Sequence, residues 1–185
     1  EHLVLGDKNA VLVAARILAY GPDYTVEVSN PNNIEQKVEH TFDLTKLKTK
    51  EVPEKIFKNG NKFEFTLPNS KRVIEFKLLT HKDEREIDTE VKAYQKVSQA
   101  TGVSNELTTR LKKTIVSVDG ETDRATINNF IDNQFLAKDT REFRKHLVSM
   151  TPDIIFEAEY TSQIGEPHKV TIPVGVRFFW PESEG

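Results

Sequence analysis

Histidines and carboxylates are the residues of this chain that could hold a metal ion. The five histidines are His2, His40, His81, His146 and His168. No two of them stand three to five residues apart, the spacing that places two imidazoles on one helical face. The stretch from Asp119 to Asp123, "DGETD", is similar to the start of a calcium loop, but the twelfth position is Phe130 instead of the bidentate glutamate. The sequence therefore predicts a turn there and no metal site.

The sequence gives equally little evidence for acid–base or nucleophilic catalysis. The acidic run from Asp83 to Glu90 could hold a paired acid and base, but its neighbours Lys82, Arg85 and Lys92 favour a solvated helix face. The chain has no cysteine, which excludes disulfides, thiolate metal sites and thiol catalysis. No serine lies in a G-x-S-x-G elbow, and the glycines form neither a phosphate loop nor a dinucleotide fingerprint. We expect no enzyme, and no catalytic, metal-binding or cofactor-binding residue.

The composition indicates a folded chain without a nucleic-acid or membrane role. Hydrophobic residues make up 37% of the 185 residues and charged residues 30%. The 26 Lys and Arg and 29 Asp and Glu are interleaved, so no broad basic field can neutralise phosphates. The longest apolar run, "AVLVAARILAY", is too short to span a bilayer and lacks the flanks of a secretory signal. Because the first residue is Glu1, we expect that further residues precede it.

A helix over residues 7–20 is predicted by apolar residues at helical spacing. Asp7 or Asn9 can cap its free N–H groups, and Gly21 with Pro22 ends it. Only Arg16 interrupts the apolar surface. We therefore expect this helix to be largely buried.

Three β-hairpins are predicted where apolar residues alternate on both sides of a polar turn. Their approximate bounds are 23–44, 62–79 and 154–176, and their turns are "NPNN" (30–33), "PNSK" (68–71) and "SQIGEP" (162–167). Between the second and third hairpins the pattern becomes helical, with a strand-like "TIVSVDG" that Asp119 and Gly120 close. Hairpins with a helical group between them predict one α+β domain over residues 1–185, with projecting hairpin arms.

The first helix after the second hairpin has a well-defined start. Thr80 can cap it, and Asp83 and Glu84 lie close to its positive end. Ile87, Val91 and Tyr94 are predicted to form its apolar stripe.

A series of landmarks resembles a known family. In order they are "GDKNAVLVAARILAYGPDYTVEV", "FTLPNSKRVIEFKLLTHKDEREI", "TIVSVDG", and "MTPDIIFEAEY" leading into "VTIPVGVRFFWP". Together they resemble the T4-like phage baseplate hub proteins, which comprise tail hub subunits and hub-assembly proteins of contractile-tailed phages and prophages. The resemblance covers about residue 5 to Pro181.

The resemblance implies a non-enzymatic structural or assembly component of a baseplate hub that works through protein–protein contacts. It implies other baseplate or tail hub proteins as partners, with self-association as a further option. The implied location is the virion tail baseplate, and the host cytoplasm during assembly. Many relatives carry a zinc-ribbon-like C-P-x-C-G knuckle at the tips of the first and third hairpins. Both tips lack cysteine here, so no zinc site is carried over.

The aromatic residues of the last stretch and of the hairpins are the candidate contact surface. The family places "VTIPVGVRFFWP" at the end of the third hairpin, which favours a structural strand over a dedicated sticky tail. If the arms project, their edge strands are natural sites for strand addition by a neighbour. The candidate contact residues are Tyr24, Phe156, Tyr160, Phe178, Phe179 and Trp180, and each of them taken singly is more typical of a core residue than of an interface residue.

Three other functions stay open at this point. The chain could be an assembly chaperone that is absent from the mature particle. It could be a small binding module for a host protein, with a concave aromatic pocket. A hydrolase with a carboxylate or carboxylate–histidine metal site is the third option, and it requires a metal in the purified protein.

Overall fold

Helices and short antiparallel sheets make up the described part of the chain, which a computed structural model gives as residues 3–30, 33–97, 106–161 and 167–179. The helices are α1 (Leu5–Tyr20), α2 (His81–Val97), α3 (Glu106–Thr114), α4 (Arg124–Asn133), α5 (Ala137–Met150) and α6 (Val176–Phe179). The strands are β1 (Asp23–Asn30), β2 (Asn33–Asp43), β3 (Lys48–Lys50), β4 (Phe63–Thr66), β5 (Val73–Phe76), β6 (Ile115–Val118), β7 (Asp153–Ile155), β8 (Glu157–Thr161) and β9 (Pro167–Thr171). Short 3-10 helices cover Leu44–Lys46 and Glu54–Phe57. The predicted α+β class is confirmed.

The chain divides into two compact units. The helical unit comprises Glu1–Leu5 and Val52–Thr151, and the hairpin unit comprises Gly6–Glu51 and Pro152–Gly185. Each unit has its own hydrophobic core. The single domain with projecting arms expected from the sequence stays a prediction.

A three-stranded sheet in the order β4-β5-β6 is the centre of the helical unit. The predicted second hairpin is confirmed, with Phe63 opposite Phe76 and Phe65 opposite Ile74. Strand β6 adds to its free edge through the pairing of Ile74 with Val118. The chain then turns at Asp119 and Gly120, which both have positive φ, a conformation that Asp and Gly adopt more readily than other residues.

Helices α3, α4 and α5 supply the apolar side chains that cover this sheet. Phe76 on the sheet meets Phe143 of α5 edge to face, with ring centroids 5.2 Å apart. Neither residue is exposed to solvent. The fully buried members of the core also include Leu67, Ile74, Ile115 and Ile127.

A capping box starts α2, as predicted from Thr80. The backbone N–H of Asp83 donates to Thr80 Oγ1, and the backbone N–H of Thr80 donates to Asp83 Oδ2 at 2.9 Å. Lys77 Nζ donates to the same carboxylate at 2.6 Å. The predicted apolar stripe is shorter than expected, because Ile87 is buried whereas Tyr94 is 53% exposed.

Asp139 near the start of α5 fixes the turn of the second hairpin. Its carboxylate accepts hydrogen bonds from the backbone N–H groups of Asn69 and Ser70, and from Asn69 Nδ2, at 2.8–2.9 Å. The side chain is fully buried. Burial alone would raise the pKa of Asp139, but the hydrogen bonds from Asn69 and Ser70 outweigh it and lower the pKa to about 2.

In its described residues the hairpin unit contains three separate two-stranded sheets, β1-β2, β3-β7 and β8-β9. The first and third predicted hairpins are confirmed, although most of their tips lie outside the described residues. The third hairpin is shorter than the predicted 154–176. Strand β7 pairs with β3 instead of extending β8, and β9 ends at Thr171. Pro173 follows shortly and has no N–H to continue the ladder.

Helix α1 is present as predicted, but the prediction that it is largely buried is wrong. Leu18 is 87% exposed and Val11 55% exposed, whereas Val13 on the opposite side is buried. Only one stripe of the helix packs on the core of the hairpin unit. Arg16, expected to be the polar exception, is 5% exposed. Its Nη1 donates to the carbonyl of Gly21 at 3.2 Å. This carbonyl lies just beyond the C-terminus of α1, where the helix dipole makes a cation favourable.

We predict that Asp139→Asn lowers the free energy of unfolding by about 2 to 4 kcal/mol, because an amide cannot accept from all three donors and leaves a buried N–H without an acceptor. Urea denaturation followed by circular dichroism at neutral pH measures this loss. Asp88→Asn, at an exposed position on α2, is the control and should shift stability by less than about 0.5 kcal/mol. Equal effects of the two substitutions would refute the role of Asp139.

The same contact predicts a pH dependence. Because the folded state lowers the pKa of Asp139 from 3.8 to about 2, its carboxylate stabilises the fold fully above pH 3.8. This stabilisation is lost as the pH falls through the folded pKa. The stability difference between the wild type and Asp139→Asn should therefore shrink across this window in denaturation series at stepped pH. Parallel curves over the window would contradict the assignment.

Candidate functional site

Four of the six predicted contact residues come together in the core of the hairpin unit. The ring centroid of Phe178 lies 5.1 Å from that of Tyr24, 5.0 Å from that of Phe179 and 6.4 Å from that of Phe156. All three pairs meet edge to face, the geometry that aromatic quadrupoles favour. Phe178 is thus the centre of an aromatic cluster that joins β1, the residue before β8, and α6.

Tyr24 reaches the cluster because of the alternation along β1. Tyr24 and Val28 are buried, whereas Thr25, Glu27 and Ser29 on the other face are exposed. Its hydroxyl donates to the carbonyl of Pro173 at 3.0 Å. This bond ties the first strand of the unit to the segment that follows β9.

The last aromatic residues do not form the predicted strand. Phe178 and Phe179 lie in the helical turn α6, and the N–H of Phe178 donates to the carbonyl of Gly175 at 3.1 Å. The strand prediction is therefore wrong for these residues. The physical reason is local, because Pro173 has no N–H to donate to a ladder.

Burial separates these residues into two groups. Tyr24 is 4% exposed and Phe178 is 0% exposed, so both are core residues. Phe156 and Phe179 are only partly buried against the same core. Tyr160 stands opposite His168 in the β8–β9 ladder, and Trp180 lies outside the described residues. A role of these residues in partner contacts stays a prediction.

A groove in the hairpin unit was not predicted from the sequence. It has a volume of about 560 Å³ and is lined by residues 40–43 of β2, 157–159 of β8 and Lys169 of β9, together with Lys46, Leu47, Lys48 and Ile155. We call it the hairpin groove. The alternation of the strands indicates two hairpins, but it does not show that both hairpins line one groove. No local pattern could have revealed this groove.

Several of the residues considered for acid–base or metal chemistry make structural contacts. Glu84 and Glu86 of the acidic run pair with Arg110 at 2.7 Å and Lys113 at 2.9 Å on α3. His146 stacks on Phe65 with ring centroids 4.5 Å apart, and burial lowers its pKa. Within the described residues, no group of three or more histidines and carboxylates is placed to hold a metal ion. Among the described helices, none has the length and apolar character needed to cross a membrane.

These features define an α+β protein. Its described aromatic candidates pack in the core of the hairpin unit or lie in its strands, and several of its acidic residues cap helices or form ion pairs. The chain belongs to the family described as T4 bacteriophage base plate protein, whose model matches residues 1–180. It is therefore a structural protein of the phage tail baseplate, and other baseplate proteins are its partners. Membership in this structural family favours a non-enzymatic role. Comparisons with curated proteins and with solved structures gave no significant match.

We predict that Phe178→Ala lowers the free energy of unfolding of the hairpin unit by about 3 to 5 kcal/mol, because it leaves a cavity where three aromatic rings meet. Tyr24→Phe is the matched variant, since it keeps the ring, removes the hydroxyl that donates to Pro173 and should cost about 1 kcal/mol. Amide exchange of β1 and β8 under native conditions measures both losses. A smaller effect for Phe178→Ala than for Tyr24→Phe would exclude Phe178 as the centre of the cluster.

Proposed function

We propose that this protein is a subunit of the baseplate hub of a contractile tail, retained in the mature particle and acting through contacts with other hub proteins. The family match over residues 1–180 is the observation that carries the proposal, because it spans both units. The proposed place of action is the tail baseplate, with assembly in the host cytoplasm. A stable contact of this kind needs an apolar patch surrounded by polar groups.

The partly buried aromatic residues of the hairpin unit are the proposed contact anchors. Phe156 and Phe179 pack against the core and are only partly buried. Aromatic side chains of this kind contribute disproportionately to binding, since they bury a large area with few rotatable bonds. We include Tyr160 and Trp180 as further anchors on the strength of their positions in the chain. Tyr24 and Phe178 serve the contact indirectly, by holding the surface in shape.

Quantitative mass spectrometry of purified mature tails, beside trapped assembly intermediates, tests the proposal. The tails come from a phage or prophage that encodes this chain. We expect a fixed copy number in mature tails. Presence in intermediates alone would instead establish an assembly chaperone, and absence from both samples would leave a binding module for a host protein.

The amount of each variant chain that is incorporated into mature tails tests the proposed contact anchors. We predict that Phe179→Ala lowers the amount of the chain in mature tails several-fold, with a smaller effect on the stability of the free chain. The reason is that truncating an anchor removes partner contacts, whereas its core contacts are only partial. Val148→Ala, at an exposed position of α5 in the helical unit, is the control and should leave incorporation unchanged. Equal incorporation of both variants would exclude Phe179 as an anchor.

A further inference from the structure

The exposed side of helix α1 is apolar along most of its length. Leu18 is 87% exposed and Val11 is 55% exposed, whereas Val13 packs in the core of the hairpin unit on the other side. Leu18 and Val11 are seven positions apart, so they lie in one line along the helix. The remaining exposed residues from position 10 to position 19 are all alanines, namely Ala10, Ala14, Ala15 and Ala19. We call these four alanines, together with Val11 and Leu18, the α1 face.

Such a face indicates a contact surface. One exposed leucine is ordinary, but here it continues into an unbroken apolar strip, and contiguous apolar patches on a protein surface often mark protein contacts. The exposed charged residue of α1 is Asp7, which lies one turn before Val11 at the end of the strip. The face itself carries no charged or hydrogen-bonding side chain. Its occupant therefore needs an apolar surface, since a polar group buried there would find no side-chain partner.

The α1 face has the same order of large and small residues when it is read from either end. Val11 and Leu18 lie near its two ends. Ala14 and Ala15 flank its middle, each three or four positions from both large residues. A contact between two copies related by a two-fold axis needs such a self-complementary patch. With the axis at the middle of the face, Ala15 lies beside Ala15 of the second copy, and Val11 lies opposite Leu18 of the second copy.

The shape of the face also suits two crossing helices. Packed helices cross at an angle, so the gap between them is narrowest at the crossing point and widens on both sides. The alanines at the middle of the face allow a close approach at the crossing point. Val11 and Leu18 are large enough to fill the wider gaps on either side.

The charge at the end of the face favours antiparallel copies. In a parallel pair Asp7 would lie beside Asp7 of the second copy, and the two helix dipoles would point the same way. Antiparallel copies oppose their dipoles. Each Asp7 then lies beyond the last turn of the other helix, at a solvated rim where a charge has little effect on affinity.

We propose that two copies of this chain pair in solution through their α1 faces, antiparallel, with Val11 of each copy packed on Leu18 of the other. The face extends about 14 Å along the helix, so two copies bury well under the roughly 1,200 Å² at which stable interfaces begin. We therefore expect a reversible dimer with a dissociation constant between about 10 µM and about 1 mM. This pairing goes beyond the proposed function and does not depend on a hub role.

Sedimentation equilibrium of the full chain at concentrations up to about 1 mM measures the pairing. We expect Leu18→Gln to raise the dissociation constant at least about tenfold, because a two-fold contact loses the same anchor twice. The variant should fold normally, since this side chain is exposed in the free chain. Val148→Gln, at an exposed apolar residue of α5, is the control and should leave the constant unchanged. A chain that stays monomeric at about 1 mM, or a dimer that tolerates Leu18→Gln, would overturn the proposal.

Introduced cysteines locate the contact, because the chain has none of its own. Under mild oxidation Ala15→Cys should form a disulfide-linked dimer, since the two copies of this residue meet at the two-fold axis. Ala10→Cys is the matched control at another exposed alanine of α1. It should stay monomeric, because its two copies lie roughly 14 Å apart along the helices and a disulfide joins Cα atoms only about 4.4–6.8 Å apart. Equal disulfide yields from the two variants would contradict the proposed contact.

Val11→Cys tests the direction of the pair. In the antiparallel arrangement its two copies lie roughly 10 Å apart along the helices, so this variant alone should give little disulfide. Mixed with Leu18→Cys, it should give a disulfide between the two variants. A higher yield of Val11→Cys linked to itself than of the mixed product would indicate parallel copies and overturn the arrangement.

Discussion

The pairing of β3 with β7 is the constraint on which the rest of the hairpin unit depends. It joins Lys48–Lys50 to Asp153–Ile155, segments about 100 residues apart, and closing a loop of that length costs roughly 4 kcal/mol of chain entropy. The neighbouring contacts offset this cost. Asn9 donates to Asp153, and Gly6 approaches Pro152 so closely that a Cβ would lie 1.7 Å from its carbonyl oxygen. The hydroxyl of Tyr24 donates to the carbonyl of Pro173, which lies 149 residues further along the chain.

The β3–β7 pairing builds the hairpin unit from two distant segments of the chain. The segment between them, residues 52–151, therefore folds around a core of its own. It does so with contacts inside the segment, among them the β4-β5-β6 sheet, the capping box at Thr80 and the hydrogen bonds of Asp139 to Asn69 and Ser70. Two small cores have more surface for their volume than one large core. This explains a composition that is more polar than usual for the length, with 37% hydrophobic and 30% charged residues.

Local chemistry was predictable from the sequence, and distant pairing was not. The hairpins, the cap at Thr80 and the turn at Asp119 follow from spacing and turn residues within a few positions. The register of β3 with β7 and the position of β6 depend on segments that no local pattern connects. Helix α1 was misjudged because apolar residues on all sides indicate burial, whereas alanines fill much of its exposed side. Among the aromatic candidates, Tyr24 and Phe178 are core residues, and a contact role of the others stays a prediction.

The three sheets of the hairpin unit also depend on one apolar core. Isolated two-stranded sheets are marginal in water, and the hairpin unit contains three of them among its described residues. Each sheet contributes side chains to the core that contains Phe178, whose ring meets Tyr24 of β1 and Phe156 before β8. Loss of packing there should therefore weaken all three sheets together, because a ladder of two strands is not stable by itself.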